Sequence, residues 1–165
     1  FFRLSLGKGK NIVTVKDEID HVKNYLMIQH MRFKNKFDYE FEIAEDVLEL
    51  SSLKRMLQPM VENAIYHGME FMDGDGLIKI KAWREADELY LSVTDNGLGM
   101  TEDKVSLVLA GKSNSGNGRG SGIGVKNVNE RIKLYFGEAY GLTIDSEPDE
   151  GTKVTIHLPV KAERG

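Results

Sequence analysis

Two pairs of short alternating segments constrain the fold of this chain more than any other feature. In the first pair, apolar and polar residues alternate over 78–82 and again over 89–93. In the second pair, residues 142–146 and 152–158 alternate in the same way on either side of a short turn that contains a proline. Alternation is typical of half-buried strands, and strands joined by short turns can form hairpins. We therefore expect a sheet in which antiparallel pairs dominate.

Helical periodicity predicts a second layer that is interspersed with these strands. Thr14 and Asp17 have the spacing of a capping box at the start of the first helix. Pro59 lies inside the second helical pattern, which predicts either a kink there or a helix that begins there. The predicted helices span residues 15–34, 53–68, 101–110 and 125–137, and a further alternating strand is predicted over 37–43.

The order of these elements is α, β, α, β, β, loop, α, β, β. This order predicts an α+β fold, a two-layer α/β sandwich whose mixed, largely antiparallel sheet carries the helices on one face. We assign residues 1–10 to the stub of an upstream helix and its linker, and residues 11–165 to one domain.

Composition excludes several classes of function. The sequence contains no cysteine, which excludes disulfides, thiolate zinc sites and cysteine nucleophiles. Its 22 basic and 26 acidic residues give a net charge of −4, which argues against a surface that coats nucleic acid. No run of residues has the length of a membrane span, and the chain begins with Phe1. We expect a cytoplasmic fragment of a longer protein, and an upstream membrane anchor stays open.

Glycine is concentrated in one segment. Six of the 17 glycines lie at positions 111, 116, 118, 120, 122 and 124, directly before a predicted helix. The segment contains neither a phosphate-loop motif nor G-x-G-x-x-G. Glycines at a helix start expose backbone N–H groups that can bind an anion. The segment is therefore either a plain flexible linker or a lid, at about residues 100–122, that closes over phosphates.

Two polar motifs each allow a structural and a functional interpretation. Asn63 interrupts an apolar helical face, either as a hydrogen-bonded interior residue or as a ligand of Mg²⁺. Asp95 follows a strand and is separated from Gly97 and Gly99 by one residue each. This motif is either an ordinary turn or a place where a flat ligand approaches the backbone and donates a hydrogen bond to the carboxylate.

Taken together, the motifs resemble those of a known family. The order is an Asn on a helix, D-x-G-x-G, G-x-G-x-G and then Gly151-Thr152, which resembles the ATP-binding domain shared by gyrase, the heat-shock chaperone, mismatch-repair ATPases and sensor histidine kinases. The resemblance is strongest to the sensor histidine kinases of the LytS/YesM type. It rests on residues 25–29 with Arg32-Phe33, on the segment 57–68 and on the segment 122–132.

The resemblance implies roles for individual residues in binding ATP and Mg²⁺. Asp95 would accept a hydrogen bond from the adenine amino group, with Thr152 in support, and Asn63 would ligate Mg²⁺. Gly97 and Gly99 would let the backbone approach the nucleotide, and His67 would contact ribose or phosphate. The phosphate side would be completed by three glycines, two residues at the following helix and two lid cations: Gly120, Gly122, Gly124, Lys126, Asn127, Lys112 and Arg119.

Two departures from the wider superfamily bear on the reaction. The ATP-hydrolysing members carry a glutamate four residues before the magnesium Asn, and Pro59 occupies that position here. None of the four histidines lies in the Pro-His-Phe context of the family's phosphoacceptor. The resemblance therefore implies transfer of the γ-phosphoryl group to a histidine upstream of this chain.

The same resemblance implies partners and leaves alternatives. The partners would be the protein's own upstream dimerisation and phosphoacceptor domain, a response regulator and a second copy of the whole protein, with no nucleic acid. The membrane would be reached only through missing N-terminal segments. The alternatives are an anti-sigma-type serine kinase of the same fold and a scaffold domain that binds no nucleotide.

Overall fold

The computed structural model describes residues 11–34, 36–69, 72–112 and 123–161. Its helices are α1 (Val15–Arg32), α2 (Leu57–His67), α3 (Glu102–Leu109) and α4 (Ile123–Phe136). Its strands are β1 (Ile12–Thr14), β2 (Phe37–Ile43), β3 (Ser51–Leu53), β4 (Gly76–Glu85), β5 (Glu88–Asp95), β6 (Gly141–Glu147) and β7 (Gly151–Pro159). A 3₁₀ turn, Glu45–Val47, lies between β2 and β3.

The main sheet has five strands in the order β2-β4-β5-β7-β6. Strands β2 and β4 are parallel, and the three other neighbouring pairs are antiparallel. The two hairpins that alternation predicts are present as β4–β5 and β6–β7. The expected α+β fold with a mixed, largely antiparallel sheet is therefore confirmed.

The two faces of the sheet differ in composition. One face is apolar and packs against the helices; it includes Ile80, Leu91, Val93, Val154 and Ile156, all of which are buried. The other face carries an aromatic row in which Tyr90 stacks on Trp83 at 5.4 Å and on His157 at 4.8 Å between ring centroids. The helices and the hydrophobic core therefore lie on one side of the sheet.

The first helix begins where the sequence predicts it. The Thr14 hydroxyl accepts a hydrogen bond from the Asp17 N–H, and the Asp17 carboxylate accepts one from the Thr14 N–H, both at 3.1 Å. The buried residues Ile19, Val22 and Leu26 lie on one face of α1. The helix ends at Arg32, close to the predicted end. No described helix is both long enough and apolar enough to cross a membrane.

The second helix corrects the expectation for Pro59. The helix begins at Leu57, so Pro59 is its third residue and not its first. The N–H groups of the first helical turn have no acceptor within the helix, so a proline costs little at this position. The helix ends at Gly68, whose N–H donates to the Ala64 carbonyl at 3.0 Å.

A second, two-stranded sheet was not predicted. Strands β1 and β3 pair antiparallel, and Ile12 lies opposite Leu53. Each strand has only three residues, and all three residues of β3 are buried. Segments this short show no alternation that could distinguish a strand from a loop.

Candidate functional site

The described part of the site begins at the end of β5. Asp95 lies directly opposite Thr152 of β7 in the antiparallel register, and each residue is only 7% exposed. The Asp95 carboxylate accepts a hydrogen bond from the Gly97 N–H at 2.9 Å. Burial raises the pKa of Asp95 to about 6, because the loss of water outweighs the opposing hydrogen bonds from the backbone of Gly97 and Thr152. The buried Asp95 carboxylate and the Thr152 hydroxyl therefore lie next to each other, at the end of β5 and the start of β7.

A third polar side chain, Ser146, lies beside these two residues, and the sequence analysis did not identify it. The Ser146 hydroxyl lies 2.8 Å from the Thr152 hydroxyl and accepts a hydrogen bond from the Met100 N–H at 2.8 Å. Ser146 and Thr152 are cross-strand partners in the β6–β7 pair. The register of the predicted hairpin was the signal that could have identified Ser146.

The glycines of the D-x-G-x-G motif pack against other backbone. A Cβ on Gly97 would lie 2.4 Å from the Gly68 Cα. Gly99 has a φ of +71°, and a Cβ there would lie 1.9 Å from the Glu147 carbonyl oxygen. Both glycines thus fix the turn against the end of α2 and against β6. The expected approach of the nucleotide to Gly97 and Gly99 stays a prediction.

Gly68 and Gly151 are as tightly constrained as the two motif glycines. A Cβ on Gly68 would lie 2.7 Å from the Ala64 carbonyl oxygen and 3.0 Å from an Asp95 carboxylate oxygen. Gly151 has a φ of +92°, and a Cβ there would lie 2.1 Å from the Asp95 carbonyl oxygen. The end of α2, the Asp95 turn and the start of β7 therefore meet with backbone against backbone.

Asn63 lies on α2 and is 3% exposed. Its Oδ1 atom is buried and has no hydrogen-bond partner among the residues that the structure describes. A buried carbonyl oxygen without a partner is unfavourable, so such a group calls for an explanation such as a ligand. The neighbouring Glu62 points elsewhere and accepts a hydrogen bond from the Gln58 side chain at 3.3 Å. The unpartnered oxygen fits a cation ligand, and the role of Asn63 stays a prediction.

The start of α4 lies against the start of α2. A Cβ on Gly124 would lie 3.1 Å from the Pro59 Cβ, and the Lys126 side chain passes Gly111, where an added Cβ would lie 2.7 Å from its Cδ. The Lys126 ammonium lies 3.7 Å from Glu130. The first turn of α4 therefore belongs to the same region as the helix that carries Asn63.

The remaining predicted residues fall into two groups. His67 is the half-buried last residue of α2, next to Gly68, and Lys112 and Asn127 are exposed. Arg119, Gly120 and Gly122 lie outside the described residues, as does the part of the predicted lid from 113 to 122. The roles that the resemblance implies for these six residues stay predictions.

A cavity of about 800 Å³ opens beside Asp95 and Thr152, between α3 and the ends of β5, β6 and β7. Its lining contains one basic residue, Lys153, and five acidic residues: Asp95, Glu102, Asp145, Glu147 and Glu150. Carboxylates repel phosphate groups and accept hydrogen bonds from amines. The cavity therefore suits the uncharged, hydrogen-donating part of a ligand, and an anionic part would have to lie toward α2 and α4.

Comparisons with known proteins agree with this geometry. Residues 49–162 match the family described as histidine kinase-, DNA gyrase B-, and HSP90-like ATPase, and residues 1–37 match the family described as histidine kinase. The chain is 37% identical over 161 residues to the sensor histidine kinase YesM of Bacillus subtilis, and 33% identical over 163 residues to the sensor histidine kinase BtsS of Escherichia coli. These alignments cover 98% and 99% of this chain but only 26% and 27% of the relatives, so the chain spans about a quarter of their length.

Solved structures share the fold at low sequence identity. The catalytic domain of histidine kinase ThkA superposes with a TM-score of 0.69 at 18% identity, covering 91% of this chain and 95% of that one. The mycobacterial sensor histidine kinase MprB gives 0.66 at 19% identity, covering 92% and 98%. The match of the ATPase family to more than half of the chain, together with this fold, shows that the chain belongs to the histidine kinase-, DNA gyrase B- and HSP90-like ATPases.

Proposed function

We propose that this domain binds ATP with Mg²⁺ and transfers the γ-phosphoryl group to a histidine N-terminal to this chain, as the catalytic part of a sensor histidine kinase. The observation that carries the proposal is the buried Oδ1 of Asn63, which has no partner in the described part of the chain, in a chain of this ATPase family. The relatives YesM and BtsS are named sensor histidine kinases, which supports the choice of phosphoryl acceptor.

The adenine end of the site is formed by Asp95, Thr152 and Ser146. The deprotonated Asp95 carboxylate accepts a hydrogen bond from an exocyclic amino group, and the Thr152 hydroxyl donates to a neighbouring ring nitrogen directly or through water. Ser146, which donates to the Gly151 carbonyl at 2.9 Å, lies beside the Thr152 hydroxyl. Guanine presents a carbonyl where adenine presents an amine, so the buried carboxylate discriminates against guanine. This polar triad therefore supports adenine as the base.

The phosphate end is formed by Asn63 and by residues around the start of α4. The Asn63 carbonyl oxygen holds Mg²⁺, which neutralises charge on the phosphates when it is bound. Gly124 and Lys126, together with Gly120, Gly122 and Asn127, contact the phosphates, and His67 contacts ribose or phosphate. Lys112 or Arg119 contacts the γ-phosphate. These residues orient the phosphoryl group, since phosphoryl transfer depends on positioning and on charge neutralisation.

The chemistry of α2 supports transfer to a protein group over hydrolysis. Pro59, at the place of the hydrolytic glutamate, packs against Gly124 and cannot act as a base. The carboxylate of Glu62, the only one in α2, is bonded to Gln58. The position of the hydrolytic glutamate on α2 therefore carries no base.

The remaining partners follow from the proposal. The acceptor histidine belongs to the protein's own dimerisation domain, which also presents the phosphoryl group to a response regulator. The whole protein acts as a homodimer, and segments outside this chain attach it to a membrane with this domain in the cytoplasm.

The metal role is tested by titration calorimetry with ATP in the presence of Mg²⁺ and in the presence of EDTA. We expect Asn63→Ala to reduce the ratio of the two affinities by roughly tenfold, which corresponds to about 1.4 kcal/mol. Glu62→Gln is the matched control, because the adjacent side chain is bonded to Gln58, and should keep the wild-type ratio. If Asn63→Ala keeps that ratio too, Asn63 is not the metal ligand.

The acceptor is tested with γ-labelled ATP. The chain alone should bind ATP, hydrolyse it slowly and remain unlabelled, whereas the full-length parent protein should acquire label that is lost in acid and survives base. Label on one of the four histidines of this chain would place the acceptor inside it. An acid-stable label on the parent would favour a serine kinase instead.

A further inference from the structure

Glu18 is a buried carboxylate that the site described above does not use. It lies on α1, is 3% exposed and reaches the start of α2. One carboxylate oxygen accepts a hydrogen bond from the Arg55 N–H at 2.8 Å, and the other accepts from the N–H groups of Met56 and Leu57 at 2.9 and 3.2 Å. Three donors from one short backbone segment thus converge on a single side chain.

This contact replaces the cap that α2 lacks. The N-cap residue of α2 is Met56, which makes no side-chain capping bond. A helix start needs acceptors for its free N–H groups and is stabilised by a nearby negative charge. Glu18 supplies both from a different helix, so the start of α2 is held where α1 places it.

The other end of α2 is held by a different part of the molecule. Gly68 packs against the Gly97 backbone and the Asp95 carboxylate, which belong to the turn after β5. Asn63 lies between these two anchors. A helix released at its start but held at its end would pivot about Gly68, which would move Asn63 and leave Asp95 and Thr152 in place.

Two further contacts join the same pair of helices. The His21 ring is hydrogen-bonded to the Gln58 side chain, and the Arg32 guanidinium donates to the Tyr66 hydroxyl at 3.3 Å. Glu18 differs from these pairs because it binds backbone, which places the helix itself. Glu18 also lies in the range that matches the histidine kinase family, whereas the three amides lie in the range that matches the ATPase family.

We propose that Glu18 is a positioning residue for the metal and phosphate end of the nucleotide site, acting through the placement of Asn63 on α2. The inference rests on the proposed function and deepens it. It separates the two ends of the site, since Glu18 controls the Mg²⁺-dependent part of ATP affinity and leaves the adenine-dependent part unchanged.

The test measures ATP affinity with Mg²⁺ and with EDTA for Glu18→Gln, which keeps the size of the side chain and one oxygen. We expect the ratio of the two affinities to fall by roughly fivefold, with the EDTA value within about twofold of wild type. Asp20→Asn is the matched control. Asp20 lies on the same helix, is exposed and pairs with the exposed Lys16, so its substitution should leave both values unchanged.

A second readout follows Asn63 directly. The side-chain amide resonance of Asn63 in the nucleotide-free protein should shift in Glu18→Gln and keep its wild-type position in Asp20→Asn. If circular dichroism shows that Glu18→Gln is unfolded, Glu18→Asp retains the charge with a shorter reach and should lower the ratio to a smaller extent. A wild-type ratio in the folded variant overturns the proposal.

The two proposals fail in different ways. If Asn63→Ala lowers the ratio and folded Glu18 variants do not, only the positioning role of Glu18 is overturned. If Asn63→Ala keeps the ratio, the metal role of Asn63 is overturned, and the role of Glu18 is overturned with it. An equal loss of affinity with and without Mg²⁺ in Glu18→Gln would show a general structural role and would also overturn the proposal.

Discussion

The two ends of α2 each lie against a buried carboxylate, and the two carboxylates are in opposite situations. Glu18 accepts three backbone hydrogen bonds from one segment at the start of the helix. Asp95, beside the end of the helix, is buried strongly enough that its pKa rises to about 6 despite the hydrogen bonds from Gly97 and Thr152. The first carboxylate is a structural cap, and the second keeps an unfavourable charge next to a cavity.

This difference indicates which buried charge serves folding and which serves binding. A charge whose hydrogen bonds come from the fold stabilises the fold, and its removal should be costly. A charge that burial destabilises is retained at the expense of stability, which is typical of groups that meet a ligand. Three substitutions test this contrast, in order of decreasing expected effect.

Gly97→Ala should have the largest effect, because the end of α2 is fixed by backbone contact. The added Cβ would lie 2.4 Å from the Gly68 Cα and 3.0 Å from the Gly68 carbonyl carbon, neither of which can rotate away. We expect a loss of more than about 4 kcal/mol in the free energy of unfolding, measured by urea denaturation.

Gly124→Ala is the control for this substitution. Its Cβ would lie 3.1 Å from the Pro59 Cβ, so a small shift relieves the contact, and alanine is the better helix former. Its stability should stay within about 1 kcal/mol of wild type. Similar losses for the two variants would show that the Gly68–Gly97 contact is not the tight anchor described here.

Glu18→Ala should destabilise the protein by about 3–4 kcal/mol, because three amides at the start of α2 lose their common acceptor. Thermal or urea unfolding measures the loss. Asp20→Ala is the comparison on the same helix: Asp20 is exposed and pairs with the exposed Lys16, so its removal should have a far smaller effect. Equal effects would mean that the cap contributes no more than a surface ion pair.

Asp95→Asn should raise the free energy of unfolding at neutral pH, whereas Glu18→Ala should lower it. The folded protein binds the Asp95 proton more tightly than the unfolded chain does, since the pKa rises from 3.8 to about 6. The charged form therefore costs stability above about pH 6, and the cost disappears as the pH falls below about 4. The neutral variant should gain at most about 3 kcal/mol at pH 7 and nothing at the acidic end of this range.

The measurement is the difference in unfolding free energy between Asp95→Asn and wild type across this pH range, because other titrating groups cancel in the difference. A difference that does not change with pH would show that burial does not raise the pKa of Asp95. The contrast between the two carboxylates would then be lost.

The sequence alone determined the local elements and the identity of several candidate residues. Period-2 alternation identified the strands of the main sheet, because each has one buried and one more exposed face. The capping box at Thr14 and Asp17 depends only on residues three apart, so it was predictable and is present. Asn63 and Asp95 stood out because polar residues at apolar or strand-end positions are informative in any register.

Only the tertiary structure decided how these elements meet. Glu18 is one acidic residue among several on a helix. Nothing in the local sequence shows that the backbone N–H groups that donate to it lie 37 to 39 positions away. Gly97 looked like an approach to a ligand, and its close neighbour is Gly68. Ser146 joined the site through its register with Thr152. Local preferences repeat with the period of a helix or strand and can be recognised in the sequence, whereas contacts between distant segments depend on how the whole core packs.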